Sequence, residues 1–265
     1  AWPLRAGERV RLRLLNAANA RGFSLKFQGH RPTVIALDGQ PCSPHEPPEG
    51  RIVLGPAMRA DVILDMEGLP GERFEVVDEH YERFRYKLLE IAYGEEPPLR
   101  DSPLDAPLAL PANPLPPLDL QNAETLSILM AGGMMGGMTG ALLGGEQLDP
   151  RALMEKGVFW ALNGVAAQHH EHPRLFDLQL GRTYRVTLVN ETAFEHPMHI
   201  HGHHMKLLSR DGVPAAREIW HDTVLVGPRQ TAALAFVADN PGDWLFHCHI
   251  LEHQEAGMMA LFGVA

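Results

Sequence analysis

The chain has 265 residues, of which 45% are hydrophobic and 21% charged, and its formal net charge is -10. This composition excludes a disordered or collagen-like chain, and the acidic balance argues against nucleic acid or an anionic membrane surface as a partner. No apolar run approaches the roughly 18 residues of a membrane span, and 2 cysteines are too few for a disulfide scaffold. The 15 histidines and 11 methionines need another explanation.

The amino terminus opens directly into a strand-like alternation and shows no signal peptide. We therefore expect a chain that is cytosolic, already processed or cut from something longer.

The sequence contains an internal repeat. The offset between matching segments falls from 174 positions (Gly7 to Gly181) to 171 positions (Gly71 to Gly242). An offset that changes by one residue per loop is expected for two copies of one fold whose loops differ in length. In both copies, short alternating segments are separated by Gly, Pro and Asn, which is typical of Greek-key β-sandwiches.

These features predict an all-β fold of two tandem Greek-key β-sandwich domains. The predicted domains cover residues 1–96 and 118–265, and residues 97–117, with eight prolines, form a semi-rigid linker between them. One short helix is predicted, with its N-cap, its first helical residue and its terminator at Asp149, Pro150 and Gly157.

The two copies differ where the second carries histidine and cysteine. Opposite His196, His199 and His201 the first copy has Phe23, Lys26 and Gln28, and opposite His247, Cys248 and His249 it has Val76, Val77 and Asp78. Histidines needed only for the fold would be expected in both copies. We therefore interpret them as a site placed on one copy of a shared scaffold.

Strand geometry divides these side chains between two faces. Residues two apart on a strand share a face, so His199 and His201 point to one side and His196 points to the other. Cys248 likewise points away from the two histidines that flank it. If the two strands are neighbours, four imidazoles gather on one side, and His196 gathers with Cys248 on the other.

The side that holds Cys248 has the chemistry of a copper site. His253 and Met258 follow the second strand and could turn back to this side. Two imidazoles, a thiolate and a thioether are typical of blue-copper electron transfer, and four imidazoles suit copper that binds dioxygen. The main chain of Cys248 also gives electrons a short bonded path to His247 and His249.

The motifs HPMHIHG, from His196, and HCHILEHQEAGM, from His247, resemble the two carboxy-terminal copper motifs of the multicopper oxidases, which include laccases and bacterial cuprous oxidases. The resemblance covers essentially the whole chain and implies that the two copies are the second and third cupredoxin domains. It implies a type 1 copper bound by His196, Cys248, His253 and Met258, a type 2 copper bound by His199, and a type 3 copper pair bound by His201, His247 and His249.

The resemblance also implies an activity. A donor, either Cu(I) or a phenolic or other aromatic compound, would be oxidised one electron at a time at the type 1 copper. The electrons would cross Cys248, His247 and His249 to the trinuclear cluster, where dioxygen is reduced to water. Localisation in the periplasm or outside the cell is implied by the same resemblance.

One departure from the family pattern concerns the trinuclear cluster. Family members use eight histidines for it, four from each of two domains, and only four are present in the matching motifs here. No His-x-His precedes His170. We therefore expect an amino-terminal domain with the other four histidines, which is cleaved, absent or supplied as another chain.

A methionine- and glycine-rich segment begins at Met130 and allows two interpretations. It is a flexible loop with incidental methionines, or it captures Cu(I) through soft thioethers. The methionines concerned are Met130, Met134, Met135 and Met138. The residue two before His196 is Phe194 rather than a methionine, which weakens the parallel with cuprous oxidases.

Several other residues are expected to have minor roles. Cys42 is expected to be a buried or inert thiol, and His203, which matches His30 of the first copy, is expected to be structural. A solvated surface cluster is favoured over a metal site for His169, His170 and His172. Orientation of a ligand histidine, attraction of a cationic substrate and simple solvation stay open for Glu191, Glu195 and Asp222.

Two other functions compete with the oxidase interpretation. Nitrite reductase is also built from cupredoxin copies, but the His-Cys-His segment combined with His-x-His is a trinuclear pattern. A non-enzymatic blue-copper carrier, or a copper-binding and storage module, is the alternative from another class.

Overall fold

The computed structural model describes residues 4–100, 102, 104, 109–135, 137–168 and 172–265. The chain divides into two compact units, Ala1–Asn113 (unit 1) and Pro114–Ala265 (unit 2). The described residues include no helix that is long and apolar enough to cross a membrane.

Unit 1 is a sandwich of two four-stranded sheets in the described part of the chain. Its strands are β1 (Arg9–Leu15), β2 (Phe23–Phe27), β3 (Thr33–Leu37), β4 (Gln40–His45), β5 (Arg51–Leu54), β6 (Arg59–Asp65), β7 (Arg73–Asp78) and β8 (Tyr86–Ala92), with short 3₁₀ helices at Pro48–Gly50 and Glu82–Phe84. The strand orders are β1-β6-β3-β4 and β5-β2-β7-β8.

Unit 2 is a larger sandwich. Its elements are β9 (Glu124–Gly132), β10 (Ala141–Leu143), β11 (Glu146–Leu148), α1 (Pro150–Glu155), β12 (Trp160–Leu162), β13 (Arg174–Leu178), β14 (Thr183–Asn190), β15 (His196–Ile200), β16 (Met205–Arg210), β17 (Val213–Pro214), β18 (Trp220–His221), β19 (Thr223–Val226), β20 (Thr231–Val237), β21 (Gly242–Cys248), α2 (Leu251–Glu255) and β22 (Met259–Val264). One sheet has the order β12-β9-β14-β20-β16-β17, with β18 paired to β16, and the other has the order β13-β22-β21-β15-β19. Strands β10 and β11 form a separate hairpin.

The internal repeat is present strand for strand. The order β1-β6-β3-β4 of unit 1 corresponds to β14-β20-β16-β17 of unit 2, and β5-β2-β7-β8 corresponds to β19-β15-β21-β22. Unit 2 adds β9 and β12 beside β14, and β13 parallel to β22. The predicted all-β fold of two sandwiches is therefore confirmed.

Matched turns repeat their hydrogen bonds as well as their sequence. Asp38 and Asp211 both have a φ of 48°, and each is followed by glycine. The Arg59 amide donates to Oδ1 of Asp38 at 3.0 Å, and the Thr231 amide donates to Oδ1 of Asp211 at 2.7 Å. The same turn thus joins equivalent strands in both units.

The core of unit 2 lies between its two sheets. Phe236 on β20 belongs to one sheet, whereas Phe246 on β21 and Phe262 on β22 belong to the other. All three are fully buried, and the ring centroids of Phe246 and Phe262 are 5.2 Å apart. This packing holds β21, and hence the end of that strand at Cys248, rigidly in place.

The predicted short helix is present as α1. Asp149 caps it, because Oδ1 accepts from the Ala152 amide at 2.8 Å. Gly157 follows the helix with a φ of 74°. Helix α2, which begins three residues after Cys248, was not predicted from the sequence.

Part of the predicted linker is held against unit 1. The Leu99 amide donates to the carbonyl of Ala6 at 2.7 Å, and Nδ2 of Asn113 donates to Oε1 of Gln40 at 2.8 Å. The border between the two compact units lies between residues 113 and 114, so Leu99 and Asn113 belong to unit 1. The predicted domain boundaries themselves stay a prediction.

Candidate metal centre

Two adjacent antiparallel strands, β15 and β21, bring the histidine clusters together. His199 lies opposite His247, and Met198 lies opposite Cys248. Because facing residues on neighbouring strands point to the same side of a sheet, His199 and His247 share one face and Cys248 occupies the other. The predicted alternation of side chains around Cys248 is therefore present.

On one face, His196, Cys248 and His253 converge, and we call these three residues the sulfur group. Cys248 Sγ lies 3.7 Å from Nδ1 of His196 and 3.7 Å from Nδ1 of His253, and the two nitrogens are 3.1 Å apart. Helix α2 turns the chain back so that His253 reaches this face. Met258 is fully buried beside it, and its carbonyl accepts from the Cys248 amide at 3.1 Å.

These distances fit a metal ion. Zinc, for example, makes bonds of about 2.0 Å to nitrogen and about 2.3 Å to sulfur. Three ligand atoms arranged in a triangle around such an ion lie about 3.5 to 3.7 Å from one another. The three atoms of the sulfur group already stand at close to this spacing. Sulfur combined with imidazole selects a soft ion such as copper.

The sulfur group lies in an apolar pocket. The Trp160 ring centroid is 4.3 Å from that of His253 and 5.1 Å from that of His196. Burial lowers the pKa of His196 to about 3 and that of His253 to about 4. Burial also raises the pKa of the Cys248 thiol. At neutral pH the imidazoles therefore offer lone pairs, and metal binding has to displace the thiol proton.

On the opposite face, His199, His201 and His247 converge, and we call these three residues the imidazole group. One ligand atom from each lies within 4.8 Å of the others. Nε2 of His201 and Nε2 of His247 are 3.0 Å apart. The His249 ring lies 5.0 Å from the His199 ring and 4.8 Å from the His247 ring, centroid to centroid. Four imidazoles therefore occupy this side, as predicted.

Main-chain oxygens orient two of these rings. Nδ1 of His199 lies 2.8 Å from the carbonyl of Asp222, and Nδ1 of His247 lies 3.0 Å from the carbonyl of Cys248. A carbonyl only accepts hydrogen bonds, so both Nδ1 atoms carry the proton and both Nε2 atoms are left to bind a metal. Burial lowers the pKa of each ring to about 4, and in His199 it outweighs the opposite effect of Asp222.

Comparison with known proteins places this site in a family. Two sequence profiles described as multicopper oxidase match the chain, one over residues 1–87 and the other over residues 147–265. The chain belongs to the multicopper oxidase family.

Similar proteins are multicopper oxidases from several bacteria. Multicopper oxidase MmcO of Mycobacterium tuberculosis is 29% identical over 262 residues, which are 97% of this chain and 47% of that protein. A multicopper oxidase of Staphylococcus epidermidis is 27% identical over 95% of this chain. The crystal structure of a multi-copper oxidase from Pseudomonas thermotolerans superimposes with a TM-score of 0.81 at 30% identity, over 99% of this chain and 56% of that one. The chain spans about half the length of the curated relatives it matches.

In this multicopper oxidase chain, strand pairing shows which residues of unit 1 stand at the positions of the metal ligands. Asp78 lies opposite Leu25, as Cys248 lies opposite Met198. Asp78 is therefore the counterpart of Cys248 and Val77 that of His247, so the expected alignment of Asp78 with His249 is wrong by one position. Asp78 is fully buried and accepts from Nη2 of Arg21 at 2.6 Å and from the Ser24 amide at 3.0 Å. An ion pair thus occupies the place of the cysteine.

The methionine-rich segment is not one exposed loop. Met130 is fully buried within β9, and Met138 packs against a small core cluster of unit 2. Met134 and Met135 are 96% and 67% exposed. Cu(I) capture by the four methionines stays an interpretation, and Met130 is the one whose thioether lies in the core.

The structure also shows the surroundings of His203 and Cys42. His203 and His30 make the same contact, from Nδ1 to the carbonyl two residues earlier, at 3.1 and 2.9 Å. This equivalence indicates a role in the fold. Cys42 is half-buried, with Sγ 4.0 Å from Nδ1 of His45, and its inertness stays a prediction. His169 and His170 lie outside the described residues.

Sequence reasoning missed two residues at the sulfur group, Trp160 and Thr192. Oγ1 of Thr192 lies 2.7 Å from Nε2 of His196. Neither residue belongs to a metal-ligand motif. A comparison of the two copies could have found Thr192, since the matching residue in the first copy is Ala18.

Proposed function

We propose that this chain forms the second and third cupredoxin domains of a laccase-like multicopper oxidase. The sulfur group and Met258 would hold a type 1 copper. His199 would hold the type 2 copper, and the type 3 pair would be held by His201, His247 and His249. Copper at these positions supplies one-electron oxidation of a donor at the first centre and reduction of dioxygen to water at the second.

The position of Cys248 between the two groups is the observation that carries this proposal. Its side chain belongs to the sulfur group, and its main chain continues directly into His247 and His249. The hydrogen bond from Nδ1 of His247 to the Cys248 carbonyl, at 3.0 Å, adds a second connection. The thiolate on one face thus belongs to the residue whose direct sequence neighbours carry imidazoles on the other face.

The surroundings of His253 support a donor site there. His253 is half-buried, and the partly exposed Phe194 ring lies 6.0 Å from it, centroid to centroid. The turn that carries Met134 and Met135 starts close to Phe194. A Cβ at Gly133, the residue before this pair, would lie 3.1 Å from the Phe194 ring. Exposed thioethers suit Cu(I), whereas an aromatic edge suits a phenolic donor. We propose Cu(I) as the first donor to test.

The imidazole group would complete its cluster with four histidines from a further cupredoxin domain, in the same parent chain or in another chain. Such a protein would work in the periplasm or outside the cell. The alternative is a blue-copper electron carrier, which needs only the sulfur group, because half of a cluster cannot reduce dioxygen.

The test compares the copper-loaded chain with Cys248→Ser and with Cys42→Ser as the matched control. We expect a blue absorption band at about 600 nm, as blue-copper sites show, in the native chain and in Cys42→Ser, and none in Cys248→Ser. Oxygen uptake is then measured with Cu(I) or a phenol after addition of a cupredoxin domain that carries two His-x-His motifs. A blue chain that never consumes oxygen in this complex would favour the carrier, and Cys248→Ser that stays blue would refute the type 1 assignment.

A further inference from the structure

A buried hydroxyl contacts the histidine that begins the sulfur group. Thr192 is fully buried, and its Oγ1 lies 2.7 Å from Nε2 of His196. The same oxygen accepts from the Phe194 amide at 3.1 Å and donates to the Phe194 carbonyl at 3.1 Å. All of these partners lie within four residues of one another, in the loop before β15 and at the first residue of that strand.

Metal binding through Nδ1 would fix the direction of the contact with His196. A hydroxyl has one proton to donate and two lone pairs with which to accept. A metal bound at Nδ1 leaves the ring proton on Nε2, so Oγ1 then accepts from Nε2–H and from the Phe194 amide, and its own proton points to the Phe194 carbonyl. With its proton on Nε2, His196 presents an unprotonated Nδ1, and this is the atom that lies 3.7 Å from Cys248 Sγ.

The copper-free copy forms the start of this loop without a hydroxyl. Asn190 begins the loop and accepts from the Thr192 amide at 2.9 Å. Asn16 accepts from the Ala18 amide at the same distance in unit 1, although the loop there is one residue longer. The first hydrogen bond of the loop therefore does not need the hydroxyl, which accompanies the histidine of unit 2.

We propose that Thr192 is a positioning residue for the type 1 copper. It fixes the tautomer and the ring orientation of His196, and by accepting from Nε2–H it makes Nδ1 a stronger donor to Cu(II). This inference rests on the proposed function, because it needs copper at the sulfur group. Loss of the hydroxyl should weaken Cu(II) binding more than Cu(I) binding, and so raise the reduction potential.

The experiment uses the copper-loaded chain and three variants. Thr192→Val removes the hydroxyl at nearly constant volume, and Thr192→Ser restores it. Thr183→Val is the matched control, because Thr183 is also buried and its Oγ1 accepts from the Asp119 amide at 3.0 Å, at the other end of β14. Cu(II) affinity is measured by competition with a chelator, and the potential by redox titration of the blue band.

We expect Thr192→Val to lose about tenfold or more in Cu(II) affinity, the usual effect of removing a partner of a metal-bound histidine. A tenfold change in the ratio of Cu(II) to Cu(I) affinity corresponds to about 59 mV. In NMR spectra of the Cu(I) protein, the hydrogen-bonded Nε2–H signal of His196 should be present in the native chain and in Thr192→Ser but not in Thr192→Val.

Four results would contradict these proposals. A native potential in Thr192→Val, or a shift that Thr192→Ser fails to reverse, overturns the role of Thr192. An equal shift in Thr183→Val overturns it as well, because any buried hydroxyl would then have the same effect. A native chain that takes up no copper at Cys248 refutes the proposed function instead, so the two failures are distinguishable.

Discussion

Trp160 forms the wall of the sulfur group, and its removal should destabilise unit 2 by a calculable amount. The side chain is 5% exposed, and a buried tryptophan covers up to about 250 Å². If about 200 Å² belongs to the ring, about 25 cal/mol per Å² gives about 5 kcal/mol for Trp160→Ala. Measured Trp→Ala changes in cores cost about 3 to 5 kcal/mol. We therefore expect the free energy of unfolding of unit 2 to fall by about 4 kcal/mol.

Thermal unfolding of the metal-free chain, followed by calorimetry, checks this value. For a unit of this size each kcal/mol lowers Tm by about 2 to 4 °C, so the transition of unit 2 should shift by about 8 to 16 °C. Trp220→Ala is the control, because Trp220 is only half-buried and contacts Lys206 across 5.9 Å. The reasoning is refuted if Trp160→Ala lowers Tm no more than Trp220→Ala does.

Two further predictions concern glycine and charge. Gly202 and Gly212 have φ values of 69° and 77°, but a Cβ at Gly202 would lie 2.5 Å from the Trp244 ring whereas one at Gly212 meets nothing within 4 Å. Chemical denaturation should therefore show a loss of about 1 kcal/mol for Gly212→Ala, from backbone strain alone, and at least twice that loss for Gly202→Ala; equal losses would contradict the argument. Burial raises the pKa of Asp78, but hydrogen bonds from a backbone amide and from Arg21 outweigh burial and hold that pKa below its ordinary value. Asp78 therefore stabilises unit 1 above about pH 4, and this contribution is lost as the pH falls through the lowered pKa. Acid titrations of unfolding should show a shallower acid-side loss of stability in Asp78→Asn, and an unchanged slope would refute the role of the ion pair.

Much of the site was predictable because it depends on local geometry. The alternation of side chains along a strand needs no tertiary information, and it placed Cys248 and its flanking histidines on opposite faces. The repeat added a second signal, since it distinguished residues that build the sandwich in both copies from residues present in one copy only. The cap of α1 was predictable for the same reason, because Asp149 and Pro150 act within one turn.

What the sequence did not predict depends on contacts between distant segments. Trp160 reaches His253 from a strand about ninety positions earlier in the chain, and no spacing rule relates the two. Met130 was grouped with its neighbouring methionines by composition, yet strand pairing with β14 draws it into the core. Helix α2 was missed because five residues give too short a periodicity to detect.

The placement of Cys248 between two groups has a consequence for how far apart those groups can ever be. Peptide units are planar and their bond lengths are fixed, so neighbouring Cα atoms stay about 3.8 Å apart. Insertions elsewhere can lengthen loops, and the interior can repack, without stretching this span. Any charge that passes from the thiolate to the adjacent rings therefore crosses a fixed number of covalent bonds, and only backbone and side-chain torsions are left to vary.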